Sequence, residues 1–328
     1  MTLHVACSSD SRLAADCAVM LTSLVSANEG TSIDVHFLHD DRLLPRDLAN
    51  LGAMVKSYGA TWSPIAVSEE STARFPHTER YGYSAWYRIL LPDLLPDLAR
   101  VLYLDSDLLI LDRMTPLYDT PLEGCYLGAV TQPTPPAEIG RLVRSLGLPD
   151  AASYFNSGVM TLDLEALRRA GSVDQVLEFI ADGRGPMPWA DQDPLNAVLH
   201  HRRLHLAPRW NVMTPIFDLP ESRLPWTRGE IQEAVASPAV VHFIGPYKPW
   251  HYRCRHPYRD AYFAYLASTP WNDKPIEGRT ARNMLVKPMP PRWQPRIDTT
   301  IDRGVNKAVR AVNRLRPGAD VKTRSAGW

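Results

Sequence analysis

The residues with the most chemical capacity are two aspartates, Asp105 and Asp107, set around Ser106 within the apolar run Val101–Leu111. A short β-prone run without polar alternation reads as a strand buried on both faces. A carboxylate there costs several kcal/mol unless it meets a cation or a hydrogen-bonding partner. On extended chain, side chains i and i+2 leave the same face. Two carboxylates so placed can grip one hard divalent cation through oxygen. The alternative is a turn with two solvated acids. The same spacing recurs at Asp191-Gln192-Asp193. The position after a buried strand favours a metal at Asp105 and Asp107.

Other stretches carry complementary groups. Val240–Trp250 is a strand that breaks into a Gly/Pro loop, with His242 at the strand end. A lone histidine on an apolar strand is commonly a satisfied core residue. Here Gly245 supplies open backbone and Lys248 a cation, a combination that suits phosphate. Arg88 lies among apolar neighbours and needs an anion, either a structural carboxylate or a bound phosphate. Asn156 offers a donor and an acceptor, and Gly158 permits close backbone approach; the alternative is a polar strand edge at a bulge. Asp191 or Gln192 can cap a helix with Pro194 in its first turn and Asp193 complementing the dipole. That role does not explain why Asp191 and Gln192 come together.

These groups need a scaffold. Strand-like segments at 3–8, 33–38 and 61–67 alternate with helix-length segments at 14–27 and 45–58. Such alternation predicts an α/β fold with a parallel sheet and helices on both faces. Ligands in such sheets bind at the carboxyl ends of strands, near a topological switch point. The Ser8–Ser11 turn and Asp105–Asp107 both fall at predicted carboxyl ends and can line one crevice. Residues 84–91 read as a short helix with Ser84 as N-cap and Pro92 beyond its end. Residues 124–130 read as a strand, and Pro133, Pro135 and Pro136 mark a loop.

Composition bounds the class. The chain has 328 residues, 45% hydrophobic and 22% charged, an ordinary globular profile. The formal net charge is zero, yet residues 279–328 hold 12 Lys and Arg against 3 Asp and Glu. That asymmetry points to an anionic surface as partner. The scattered Cys7, Cys17, Cys125 and Cys254 disfavour a disulfide scaffold or zinc knuckle and fit a reducing compartment. No apolar run approaches the ~20 residues of a spanning helix. The N-terminus reads as a strand and not as a signal peptide. Ile301, Val305, Ala308, Val309, Val312 and Leu315 recur at helical spacing, with Arg303, Lys307, Arg310, Arg314 and Arg316 between them. Such a basic amphipathic helix either lies on an anionic membrane or docks on the domain. The tail helix has no interleaved aromatics, which argues against nucleic acid as partner.

Five blocks follow one another in the order Tyr87-Arg88 ahead of Leu91-Pro92, Val101 to Asp107, Phe155 to Val159, Asp191 to Asn196 and His242 to Trp250. Together they resemble glycosyltransferase family 8, the retaining sugar-nucleotide transferases, and within it the bacterial lipopolysaccharide galactosyl- and glucosyltransferases. The resemblance covers residues 3–265. It implies one Rossmann-like GT-A domain over residues 1–268, followed by a Pro/Trp/Arg-rich wrap and a basic helical tail over 269–328. It implies that Asp105, Asp107 and His242 hold Mn2+ or another divalent cation on the diphosphate of a UDP-sugar. Asp10 would reach the uracil edge beside the Ser8 backbone, with Ser106 also on the donor. Gly245 and Lys248 would bind the diphosphate. Arg88, Asn156, Asp191 and Gln192 would surround the sugar, and Gln192, Asp191 and Asp105 would carry catalysis. Leu13 stands where the family often has a tyrosine stacked on uracil.

The implied reaction is retaining transfer of galactose or glucose from UDP-galactose or UDP-glucose to a saccharide or glycolipid acceptor such as lipopolysaccharide. The implied place is the cytoplasm, on the inner face of the membrane through the basic tail. A metal-dependent nucleotidyl- or phosphotransferase and a non-catalytic UDP-sugar-binding module are the alternatives. The expected neighbour of the sugar's α-face is Gln192 and not a carboxylate. Front-face attack, in which a departing phosphate oxygen takes the acceptor's proton, is therefore preferred over a covalent intermediate.

Overall fold

Strand β1 (Thr2–Ser8) is apolar at successive positions because both of its faces are covered. Leu3, Val5 and Cys7 join helix Ala14–Ala27 in one core, while Ala6 faces a second core containing Trp86 and Tyr103. The structure is a computed structural model that describes residues 2–76, 83–133, 136–183 and 187–289.

The other strands are β2 (Ser32–His39), β3 (Thr61–Ala66), β4 (Arg100–Leu104), β5 (Leu108–Ile110), β6 (Leu127–Thr131), β7 (Phe155–Asp163), β8 (Arg203–His205), β9 (Val212–Met213) and β10 (Val240–His242). Seven form one sheet in the order β3-β2-β1-β4-β7-β6-β8. It is mainly parallel, with β7 antiparallel to both β4 and β6. The chain runs from β1 to β2 and β3 on one side and returns to β4 on the other. The switch point therefore lies between β1 and β4, at Ser8 and Asp105.

The run Val101–Leu111 is two strands, not one. The chain leaves the large sheet after Leu104, turns at Asp105–Asp107, and enters a three-stranded sheet of order β5-β10-β9. Antiparallel pairing sets Leu108 opposite His242, so His242 lands beside Asp107. Pairing of β4 with β7 sets Leu104 opposite Val159, and Asp105 N donates to Gly158 O at 2.9 Å. Two registers thus deliver three distant segments to one point.

Several local expectations are corrected. Ser84 is already inside a 3-10 helix, Ser84–Leu90, and Tyr83 takes the cap position. Pro92 does not follow a helix end but sits in the first turn of the next helix, Leu91–Leu94, where its missing N–H costs nothing. For the same reason Pro136 begins a helix, Pro136–Leu146, instead of belonging to a loop. Strand β6 starts at Leu127 and not at Gly124, whose φ of +86° makes a turn.

Among the described residues two compact units are present, one of residues 2–249 with Arg255–Lys274, and one of Trp250–Cys254 with residues 275–289. In the second, Tyr252 N donates to Glu277 O at 2.8 Å, and a short helix covers Ala281–Val286. The amphipathic segment at 300–315 lies outside the described residues. Among the described residues, no helix is long and apolar enough to cross a membrane.

Candidate active site

At the switch point, ligand atoms of Asp105, Asp107 and His242 all lie within 4.8 Å of one another. His242 Nε2 is 3.2 Å from Asp107 Oδ1. The other ring nitrogen, Nδ1, is 3.0 Å from Asn211 Oδ1, while Asn211 Nδ2 donates to Asn156 Oδ1 at 2.7 Å. The Asn211 amide is thereby oriented with its oxygen toward the ring. Nδ1 thus donates to Asn211, which leaves Nε2, on the Asp107 side, as the ring nitrogen that would turn to a cation.

Asp105 Oδ1 accepts from Arg88 Nη2 at 2.7 Å and from the Tyr103 hydroxyl at 3.1 Å. That leaves Oδ2 for a cation. Two carboxylates and one imidazole suit a divalent cation. Gly158 makes room for the triad: a Cβ there would lie 2.5 Å from His242 Cε1 and 2.7 Å from Asp105 Oδ2.

Lys248 Nζ donates to Asp107 Oδ2 at 2.5 Å and also to the Phe243 carbonyl. Burial pushes the Asp107 carboxyl up, but Lys248 and His242 outweigh it and hold the group well below the usual carboxylate range. Gly245 has φ +94° and nothing within 4 Å of where a Cβ would stand, so its backbone is open. A lysine beside open backbone and an ionised carboxylate is a phosphate-and-metal arrangement.

Behind the triad is a buried polar cluster. Arg88 Nε is 3.0 Å from Asp191 Oδ2, and Arg88 Nη1 donates to Ser157 O at 2.9 Å and Ser157 Oγ at 3.0 Å. The anions that Arg88 needed are therefore Asp105 and Asp191. Burial disfavours the Arg88 charge, but the two carboxylates more than restore it and raise its pKa. Burial lifts the Asp191 carboxyl to about 6, with Arg88 opposing. Asp191 occupies the cap position of helix Gln192–Leu199 but makes no side-chain cap bond. Its carboxylate is drawn instead to Arg88 and to the Ser157 hydroxyl, 3.1 Å away.

Gln192 is held from both ends. Its Oε1 accepts from Asn156 Nδ2 and Ser157 N, each at 3.1 Å, and its Nε2 donates to the Tyr154 hydroxyl at 2.9 Å. Tyr154 in turn donates to Asp193 Oδ1 at 2.7 Å, and Asp193 Oδ2 accepts from Trp189 N at 2.9 Å. Asn156 donates to Gln132 and Gln192 and accepts from Gly158 N and Asn211. Its four bonding positions are filled within the protein, so it orders the cluster.

The remaining predicted residues fall on the β1 side. Ser106 Oγ donates to Ser8 O at 2.7 Å and ties the ends of β4 and β1 together. Ser8 Oγ donates to Ser84 O at 3.0 Å. Asp10 turns its carboxylate onto its own turn, accepting from the Arg12 and Leu13 amides and from the Arg12 guanidinium. Leu13 is exposed. Asn211, Tyr103, Ser157, Tyr154 and Gln132 complete the cluster without having been foreseen. Tyr103 and Ser157 lie inside recognised blocks but had no role assigned there, and Asn211, Tyr154 and Gln132 lie outside them.

With this geometry in view, the profile of Glycosyl transferase family 8 matches residues 4–254. The chain belongs to this family. General stress protein A of Bacillus subtilis is 30% identical over 280 residues, covering 82% of this chain and 95% of the relative. Lipopolysaccharide 1,3-galactosyltransferase of Salmonella typhimurium is 24% identical over 78% of this chain and 75% of its own length. Among solved structures, the galactosyltransferase LgtC in complex with donor and acceptor sugar analogs superposes with a TM-score of 0.72 at 26% identity. That match covers 89% of this chain and 99% of LgtC. The family 8 chain thus has the GT-A fold and is a glycosyltransferase, with acidic groups placed to bind an ion.

Proposed function

We propose that this family 8 glycosyltransferase moves galactose or glucose from UDP to a saccharide acceptor, with retention at the anomeric carbon. The observation that carries this reading is the Asp105–Asp107–His242 triad, with Lys248 on one side and the Arg88–Asp191–Gln192 cluster on the other. A divalent cation held by the triad would stabilise the charge that develops on the diphosphate as the glycosidic bond breaks. Lys248, which pairs with Asp107, would turn to the same phosphates once a cation takes its place. Gly245 offers its N–H beside them.

With retention taken from the family, the state of the buried acids favours front-face attack over a covalent intermediate. Asp191 is paired with Arg88 and Ser157, and Asp193 with Tyr154 and the Trp189 amide. Neither is free to attack the sugar, and Gln192 is a weak nucleophile locked at both ends. The acceptor hydroxyl therefore approaches on the face that the diphosphate leaves. Its oxygen bonds to the anomeric carbon, the bond to phosphate oxygen breaks, and its proton passes to an oxygen of the departing UDP. Gln192 and Asp191 line the sugar as the oxocarbenium character grows.

The names of the relatives support a lipopolysaccharide or other cell-surface acceptor. The Lys/Arg excess of residues 279–328 supports work at an anionic membrane surface on its cytoplasmic side. The test is UDP release from a panel of UDP-sugars, with Mn2+ and with a chelator, for wild type and Asp107→Ala. Metal-dependent release from UDP-galactose or UDP-glucose, absent in the variant, is expected. UDP-sugar binding without release, even with oligosaccharide acceptors supplied, would establish the non-catalytic binding module instead.

A further inference from the structure

A second cluster of ligating side chains lies on the large sheet, away from the switch point. Register places His4 opposite Asp34, Ala6 opposite His36, and His36 opposite Ser63. These positions alternate along their strands, so His4, Asp34 and His36 share one face. His4 Nδ1 is 3.1 Å from His36 Nε2, and Asp34 Oδ2 is 3.9 Å from the first and 3.6 Å from the second. All three side chains are partly shielded yet reachable, with exposures of 25%, 19% and 9% for His4, Asp34 and His36. Ser63 Oγ donates to the other carboxylate oxygen of Asp34 at 2.8 Å, which fixes Oδ2 toward the two rings.

We propose that His4, Asp34 and His36 form a site for one divalent cation of the zinc class. The donor set and the spacing point to the class. Metal–ligand bonds of about 2.0–2.1 Å place tetrahedral ligands about 3.3–3.4 Å apart. The same bonds in an octahedron bring neighbouring ligands to about 3.0 Å. The separations of 3.1, 3.6 and 3.9 Å lie on either side of the tetrahedral value and none is as short as the octahedral one. Two imidazoles and one carboxylate are zinc ligands, with the fourth position left for water. Burial and the neighbouring His4 favour neutral His36, with Asp34 opposing, so a lone pair is available. The ion would clip β1 to β2 about 13 Å from Ser8, four residues away at about 3.3 Å per residue. It would therefore be separate from the cation site at Asp105.

The test is zinc stoichiometry by equilibrium dialysis on the full chain, with visible spectroscopy of the Co2+-loaded protein. Wild type, His242→Ala, His4→Ala and Asp34→Asn are compared, each with far-UV circular dichroism as a folding control. Asp34→Asn keeps the shape and the Ser63 contact, so it serves if His4→Ala does not fold. His242→Ala is expected to retain one Zn2+ and the intense Co2+ bands of a tetrahedral site, and wild type at least that one. His4→Ala and Asp34→Asn should lose both, with affinity falling more than the roughly 10–100-fold typical of losing an outer partner. Metal retained by both variants at wild-type affinity, or lost only from His242→Ala, overturns the proposal. So does a weak, octahedral-type Co2+ spectrum.

Discussion

A Cβ on Gly158 would stand 2.5 Å from His242 Cε1. The strand β7 carries that glycine past the triad, and Asp105 N is bonded to its carbonyl at 2.9 Å. Neither the ring nor the backbone can yield without moving a ligand atom. Gly158→Ala is therefore expected to displace His242 and Asp105 together. Overpacking of this kind costs about 1–3 kcal/mol. The larger effect falls on the metal, with the Mn2+ concentration for half-maximal UDP release rising about 10–100-fold. A Mn2+ titration of UDP-sugar hydrolysis, set beside a thermal melt, separates the two. An unchanged Mn2+ requirement would show that the ligands sit elsewhere.

Asn211 makes a subtler prediction. It is fully buried, and its amide joins His242 Nδ1 to Asn156 Oδ1. Asn211→Leu removes the acceptor that keeps the proton on Nδ1 and leaves Asn156 short of one donor. Metal affinity should fall about 10–100-fold, and stability by about 1–3 kcal/mol for the unpaired buried groups. Asn211→Asp, which still accepts from Nδ1, should recover most of the metal affinity. Failure of that rescue would assign Asn211 to packing alone.

Much of this site was legible in the sequence because its chemistry is clustered locally. Asp105, Asp107, Gln192, His242 and Lys248 each sit in a short block of distinctive residues. The alternation of strand and helix likewise predicted the sheet and its crevice. What stayed hidden depends on register and packing. Nothing in Val101–Leu111 says that the chain changes sheets at Asp105, since both halves are equally apolar. Arg88 could not be assigned an anion until Asp105 and Asp191 were seen on either side of it. The resemblance put Asn156 beside the sugar, and only the fold shows its donors and acceptor taken up by Gln132, Gln192, Gly158 and Asn211. Asn211 lies in no motif at all, yet it orients the histidine.

A pH signature should come from Asp16, far from the triad in sequence. Its carboxylate is buried in helix Ala14–Ala27, where Lys274 Nζ donates to it at 2.8 and 2.9 Å and Tyr262 donates as well. Burial outweighs these partners and lifts the carboxyl to about 6. Below about pH 4 the group is protonated in folded and unfolded chains alike. Between there and about pH 6 only the unfolded chain has released the proton, so stability falls as pH rises. Above that window the loss is complete, at about 3 kcal/mol for 1.36 kcal/mol per pKa unit. Urea unfolding of wild type and Asp16→Asn across pH 4–7 isolates this contribution. The stability difference, wild type minus variant, should decline over that window. A flat difference would mean that Lys274 keeps Asp16 ionised throughout.

The last prediction concerns the base. Leu13 precedes helix Ala14–Ala27 and is 37% exposed, one of the larger apolar side chains left in water. It follows the Asp10 turn, whose carboxylate binds the Leu13 amide at 3.3 Å and the Arg12 guanidinium at 2.7 Å. That turn is thus prebuilt, and its carboxylate already has cationic company. A uracil reaching it would find an aliphatic surface and no ring to stack on. Stacking of a base on an aromatic side chain contributes about 1–3 kcal/mol. Leu13→Tyr is therefore expected to tighten UDP binding about 5–100-fold, measured by calorimetry with Mn2+ present. The turnover number for UDP release should stay level or fall, because tighter binding of the product slows its departure. The same substitution should leave the fold intact, since an exposed position before the helix tolerates a ring. No gain in UDP affinity would place the base away from Leu13, and the Asp10 turn would then lose its proposed role at the uracil edge.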